Sequence, residues 1–396
     1  MRSFLIFSCC AFILVFVGFQ TAFGIDLTRY KYPVSTSQEA FLNGTFNVNG
    51  TSADTMQTGY NFGGTASYDL FYRSLPFSYQ INAVGGFSLS QDITEGAESQ
   101  SAYSTRLTTR ANRYFRETSR LFGFGAATFD YRKLATQDEA NDPYVDVTAG
   151  AGYGRTIDAT VLKQAIRMVE DFKRFQVIKG EVPDEALLEL ARVIDRKSEF
   201  KSQYGAVEYR KYWYAAMEEV LRKAGVLVGD ELGAMGIIRI QEVLDEPTGL
   251  RFYGWEVRAG AGMVLSDYDG EAGDPLLTVE FDWSRPVSLQ LQLNNTSYMS
   301  TVFEDDQSYR VGDVFQIYYE ITNRIDWDNT LRAEYLIPTA EGVENVLALT
   351  FSSTYILYIE NRLTFNPSFV FNYRDDGIDD PRSDWAILGS ISYRLK

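Results

Sequence analysis

Residues 253–265 read YGWEVRAGAGMVL, placing Tyr253, Trp255, Val257, Ala259, Ala261, Met263 and Leu265 on one parity and polar residues or glycine on nearly all of the other. Side chains that alternate with a period of two belong to a strand with two different faces. Val145, Val147, Ala149, Ala151 and Tyr153 repeat the pattern upstream. Between the two stretches the period changes to that of a helix. Val161, Leu162, Ala165, Ile166, Val169 and Phe172 form one stripe, and Leu187, Leu188, Ala191 and Ile194 form another after a break at Gly180 and Pro183. The chain therefore reads as two blocks of strands separated by a helical insertion.

Strands are expected at 39–49, 57–74, 77–92, 100–115, 120–133 and 143–155 before the insertion. Eight more follow at 250–266, 275–284, 286–302, 308–323, 326–338, 344–357, 360–374 and 383–395. Their connections alternate in kind. Short ones fall at Leu75-Pro76, 116–119, 284–286, Asn323-Arg324 and Glu360-Asn361, whereas longer acidic ones fall at 49–56, 92–100, 135–142, 267–274, 304–307, 338–345 and 375–384. Consecutive hairpins with short turns at one end and long loops at the other describe an up-and-down barrel. Six strands before the insertion and eight after it return the chain to the short-turn end, which is where parity puts the helices.

A soluble sandwich would bury the apolar parity, and a membrane barrel would turn it toward lipid. Three features favour lipid. Arg2, the apolar run Phe4–Phe19 and Thr21-Ala22-Phe23-Gly24 fit a secretory signal over residues 1–24. No later apolar run reaches the roughly 20 residues of a membrane helix, so any membrane-spanning part of the mature chain must use strands. Aromatic residues gather at strand ends. Trp255, Phe281, Trp283, Tyr319, Trp327, Tyr355, Phe365 and Tyr393 lie near short turns, and Tyr103, Tyr131, Tyr335, Tyr373 and Trp385 near long loops. Two interfacial girdles produce that distribution.

On these features the sequence resembles the porin-like outer-membrane β-barrels of Gram-negative bacteria. Tyr393 and Leu395 keep the alternation of the family's closing strand, but Lys396 stands where the family carries a terminal aromatic. The expected fold is an all-β transmembrane barrel of about 14 antiparallel up-and-down strands with an inserted α-helical domain of about 90 residues. The divisions are a signal peptide at 1–24, a periplasmic lead at 25–38, barrel strands at 39–155, a helical insertion at 156–247 and barrel strands at 248–396. The resemblance places the barrel in the outer membrane and the insertion in the periplasm.

Pore-lining candidates come from the inward parity: Arg106, Arg110, Asp130, Arg132, Asp146, Glu256, Arg258, Glu280, Asp282, Glu320, Arg332, Glu334 and Arg362, with Arg374 and Arg394 on the same face. Their mixed signs suit either ion-pair ladders across the wall or a weakly selective pore. Arg106 and Arg110 are the best candidates for a cationic stripe. Gly150, Gly152, Gly154, Gly254, Gly260 and Gly262 share inward parity and either curve the wall or admit another element, the helical block or the lead, against it. Helices are expected at 158–178, 184–199, 206–224 and 230–245, with Asp158 capping the first, Pro183 starting the second and Gly225 ending the third. Tyr209, Tyr212 and Trp213 form an aromatic stripe that is either bundle core or a partner-docking face.

Composition excludes much. Histidine is absent and the two cysteines, Cys9 and Cys10, lie in the signal segment, which removes the usual general base and thiolate metal sites. Neither a catalytic residue nor a metal or cofactor site is expected. Glu280 and Asp282 on one strand are weak evidence for acid–base chemistry, and the loop with Asp375, Asp376, Asp379 and Asp380 reads as a solvated acidic loop ahead of a calcium site. The net charge of −16 argues against nucleic acid. Two readings stand: a channel for small solutes with a periplasmic gating or docking domain, or a non-conducting anchor that presents a periplasmic interaction module for surface assembly or secretion. Expected partners are outer-membrane lipid and, through the insertion, a periplasmic protein.

Overall fold

The computed structural model describes residues 25–31, 35–51, 57–74, 76–92, 97–303, 307–340, 342–378 and 380–395. Residues 1–24, expected above to be a signal, and also Asp379 and Lys396, lie outside the described residues.

Six strands precede the helices: β1 Ser35–Thr51, β2 Gln57–Arg73, β3 Phe77–Gln91, β4 Gln100–Tyr114, β5 Leu121–Lys133 and β6 Tyr144–Asp158. Eight follow: β7 Phe252–Ser266, β8 Pro275–Pro286, β9 Leu291–Val302, β10 Ser308–Thr322, β11 Ile325–Pro338, β12 Val346–Tyr358, β13 Leu363–Asp375 and β14 Arg382–Arg394. Each pairs antiparallel with its sequence neighbours, and β1 pairs with β14 from Phe41 opposite Arg394 to Gly44 opposite Ile391, which closes the barrel. Closure satisfies the backbone groups that an open sheet edge would expose to lipid.

The outward parity is apolar and exposed, as at Val257, Met263, Leu277, Val279, Met299, Leu331 and Ile387. Aromatic pairs mark both rims. Tyr153, Trp255 and Phe281 adjoin one another at the short-turn end, as do Trp327 and Tyr355, while Tyr103 packs on Tyr131 and Phe369 on Trp385 toward the long loops. One carboxylate interrupts the belt. Asp313 accepts hydrogen bonds from Asn295 Nδ2 at 2.9 Å and Ser297 Oγ at 2.6 Å, which offset part of the cost of a polar group among lipid-facing side chains.

One expected strand was drawn too long. Residues 286–290 form a turn, with Val287 N–H donating to Leu291 O and Ser288 Oγ accepting from the N–H groups of Gln290 and Leu291. Val287 and Leu289 thus leave the lipid-facing row to which alternation assigned them. Leu289 packs on the helical core instead. The apolar period alone cannot see the stop that Pro286 and Ser288 impose.

The helices are α1 Thr160–Arg174, α2 Asp184–Asp195, α3 Lys197–Lys223 and α4 Gly233–Asp245. Asp158 accepts from Thr160 N–H at 2.9 Å, Asp184 follows Pro183, and Gly225 closes α3 at φ +69°. The third helix starts earlier than expected because helical backbone resumes on both sides of a break at Gly205. The helices share one core, with Leu162, Met168, Phe172, Leu190, Trp213, Met217, Leu221 and Ile240 buried together. The lead joins that core. Leu27 and Tyr30 are buried in it, Arg29 pairs with Asp184, and Tyr253 donates from β7 to Tyr30 O at 2.5 Å. The first strand starts at Ser35, four residues before the expected boundary.

Candidate functional site: a divided lumen above a floored mouth

The lumen has two unlike halves. On the β4–β8 side the wall folds inward on itself. Phe122 and Phe124 of β5 lie over the glycines of β6 and β7, and Tyr114 of β4 packs on Phe122 at a tilt of 55° with ring centroids 5.0 Å apart. A Cβ at Gly260 would sit 2.8 Å from Phe124, and one at Gly152 would overlap the Phe122 ring. Rings from β5 therefore fill the room that the sequence left open to the helical block or the lead. Aromatic rings covering strand glycines are a known stabilising arrangement in sheets. Backbone freedom matters at two of these positions: Gly154 and Gly254 have φ of +121° and +116°, where side chains are strained.

On the same side charges meet across strands. Arg110 of β4 reaches Glu280 of β8 at 2.5 Å, and Arg258 pairs with Glu280 at 2.7 Å, Glu256 at 2.8 Å and also with Asp282. Thr296 donates to Asp282 at 2.7 Å and Tyr114 to Glu256 at 3.4 Å. Arg106 pairs with Asp130 at 2.5 Å. Arg106 and Arg110 are thus each held by a carboxylate, and the cationic stripe expected from them does not form. Arg132 lies over the Tyr268 ring at 3.8 Å, Asp146 faces Thr128, Glu334 accepts from Tyr298 and pairs with Arg310 at 3.6 Å, and Arg332 sits opposite Thr350.

The opposite half, walled by β1, β2 and β9 to β14, encloses a cavity of about 580 Å³ at the short-turn end. Arg362 lines it. Gln292, Asn294, Gln316 and Asp328 run along one wall as a hydrogen-bonded chain in which each amide donates to the next acceptor, at 2.8, 3.0 and 2.9 Å. The floor is Pro247–Leu250, the link from α4 to β7, together with Phe252. Arg251 anchors that floor. Its wholly buried guanidinium donates to Gly249 O at 3.1 Å, Leu250 O at 2.9 Å, Leu289 O at 3.1 Å and Gln290 O at 3.0 Å.

Glu320, a predicted pore-lining residue, is the junction between barrel and helices. Lys163 of α1 contacts it at 2.5 Å, Arg167 pairs with its other oxygen, and Arg251 lies 3.8 Å away. Next to it Tyr318 and Tyr358 both donate to Asp326, Tyr358 at 2.7 Å. Sequence reading found Glu320 but missed Lys163, Arg167 and Arg251. Lys163 did leave a signal, as a cation flanked by Leu162, Ala165 and Ile166 in an apolar stripe. Arg251 left none, because a link between a helix and a strand has no period.

Burial first, and the charges of Arg251 and Arg167 next, push the Lys163 amine down from 10.5 to about 6. A released α1 would hold that proton up to the ordinary value, so between about 6 and 10.5 the released state binds more protons and docking strengthens as pH rises. Asp195, raised by burial to about 7 from 3.8 despite the Tyr30 hydrogen bond, acts oppositely in its own window: the lead's packing weakens as pH rises from about 4 to 7. From pH 7 to 9 the Lys163 amine is inside its window and Asp195 is past its own. Trypsin cleavage within 160–245 should slow by up to about tenfold per pH unit over that range, and Lys163→Met should abolish the slope.

The aromatic stripe resolves as core. Tyr209 and Trp213 are buried, and Trp213 Nε1 donates to Val193 O at 2.6 Å, so a partner has no access to either. Tyr212 is partly exposed and stacks on Tyr204 at 3.9 Å.

No family model and no curated protein matches the chain. Solved structures similar to it include an outer-membrane channel from Pseudomonas putida, 6% identical with a TM-score of 0.35 over 96% of this chain and 98% of that one. An outer-membrane protein of Acinetobacter baumannii is 6% identical with a TM-score of 0.31 over 91% and 98%. The CymD monoaromatic hydrocarbon channel is 9% identical with a TM-score of 0.29 over 95% and 94%.

Proposed function

We propose that the chain is an outer-membrane channel for small polar solutes of a Gram-negative bacterium, with its short-turn mouth and helical block in the periplasm. The observation that carries this reading is the polar, unfilled half of the lumen, which ends at a floor made by the link between block and barrel. Among barrels, fourteen strands fall between those of about 8, filled by side chains, and those of about 16–18, which keep a water channel. A lumen half filled by the Arg258 network and half open fits that intermediate size. The block acts as the gate: the Glu320 junction holds α1 to β10, Arg251 holds the floor, and release of either clears the mouth. Single-channel recording in planar bilayers tests the reading. Discrete steps should appear at low frequency, and a barrel silent at every voltage and at both pH 5 and pH 8 would overturn it.

The second reading, a non-conducting anchor, is favoured by a different observation. Val207 of α3 and Met235, Ile237 and Ile238 of α4 are exposed apolar side chains on the helical block, of a kind that a periplasmic protein could cover. In-cell crosslinking from Val207 and Ile238 discriminates, since a stoichiometric partner with no solute-uptake defect on deletion favours the anchor.

A further inference from the structure

The wall of the short-turn cavity carries four charged groups in a row that the barrel leaves unmatched. Glu39 of β1 and Asp69 of β2 are direct cross-strand partners on the inward face. Arg394 of β14 stands opposite Phe41, and its N–H donates to Arg362 O at 2.8 Å, which sets it beside Arg362 in the turn that leads into β13. The order around the wall is acid, acid, base, base. Asp69 accepts from Asn82, but none of the four makes an ion pair among the described residues.

Like charges held opposite each other repel, and this barrel sets two such pairs next to each other with no ion pair closing either. On the filled side the same chain pairs Arg106, Arg110 and Arg258 closely, so the contrast lies within one lumen. Glu39 and Arg394 are diagonal neighbours, about 7–8 Å apart at the backbone, so the acidic and basic pairs adjoin and attract each other without closing an ion pair. A solute bearing one positive and one negative charge completes both halves at once. An anion alone leaves the carboxylates repelling, a cation alone leaves the guanidiniums, and a neutral sugar leaves both. At about 580 Å³ the cavity falls within the roughly 300–1,000 Å³ of ligand sites.

We infer that this cavity is a binding site for small zwitterions, free amino acids or short peptides. The ammonium lies against Glu39 and Asp69, and the carboxylate against Arg362 and Arg394, where a planar guanidinium fork matches it. The inference deepens the channel reading by naming its solute and rests on that reading for its role, though not for the binding itself.

Calorimetry on the full-length barrel in detergent micelles tests it, with alanylalanine as probe and acetate, methylammonium and glucose as controls. The dipeptide should bind at least about tenfold more tightly than each control. Both Glu39→Gln with Asp69→Asn and Arg362→Gln with Arg394→Gln should lower its affinity about tenfold or more, with the strand circular dichroism of each variant matching the parent. Equal binding of all four probes, or dipeptide binding indifferent to both double variants, would overturn the site. A barrel that conducts but does not bind alanylalanine fails this inference alone. One that binds it and never conducts fails the channel reading alone.

Discussion

Glu320→Leu is expected to free the helical block while leaving the barrel intact. The carboxylate of Glu320 is the common partner of Lys163, Arg167 and Arg251, two of which are essentially inaccessible to solvent. Removing it strands the guanidiniums of Arg167 and Arg251 against each other and leaves the buried Lys163 amine without its acceptor, and losing one member of a buried ionic contact costs about 3–5 kcal/mol. The barrel's own strand pairing does not depend on this residue, because β10 keeps its backbone ladder with β9 and β11. The loss should therefore appear in docking. Trypsin should cut within 160–245 at least about a hundredfold faster, the open fraction in bilayer recordings should rise, and strand circular dichroism should stay unchanged. Wild-type cleavage rates in Glu320→Leu would show that the mouth is held by something other than this junction.

How much of this was legible in the sequence depends on which physical signal each part leaves. The strands were legible because lipid outside and water inside impose opposite demands on successive residues, as in YGWEVRAGAGMVL at 253–265. The end of the barrel that bears the helices was legible from parity, and the structure places them with the turns 286–290 and 323–324, through Leu289, Glu320 and Asn323. Face assignment found the inward charges but not their partners. Arg110 meets Glu280 across three intervening strands of the wall, a separation that no spacing in the sequence announces. Whether those glycines bent the wall or received something could not be decided from spacing, since Phe122 and Phe124 show the same alternation as any strand aromatic. Tyr209 and Trp213 illustrate the converse. A helical stripe announces that a face is buried without saying by what, and here α2 covers it.

Gly260→Val is expected to impair barrel assembly severalfold, and the reason separates packing from backbone freedom. A Cβ at Gly260 would lie 2.8 Å from Phe124 Cζ, 2.9 Å from Thr148 Cγ2 and 3.0 Å from Ala149 O. The ring is itself buried in one cluster with Tyr114 and Phe122, so moving it passes the misfit on to them. Overpacking of this kind costs about 1–3 kcal/mol, and the two γ-carbons of valine beside the Ala149 carbonyl raise it toward the upper end. Gly44 on β1 provides the control, since a Cβ there meets nothing within 4 Å. Refolding into lipid vesicles, followed by strand circular dichroism, should give most of the parental yield for Gly44→Val and a severalfold loss for Gly260→Val. Pairing Gly260→Val with Phe124→Ala should restore a large part of that loss, because the ring that has no room is then absent. Failure of the pair to recover would mean that the Ala149 carbonyl, and not the ring, sets the limit at Gly260, and that the wall of β6 and β7 is thin because the two backbones need it so.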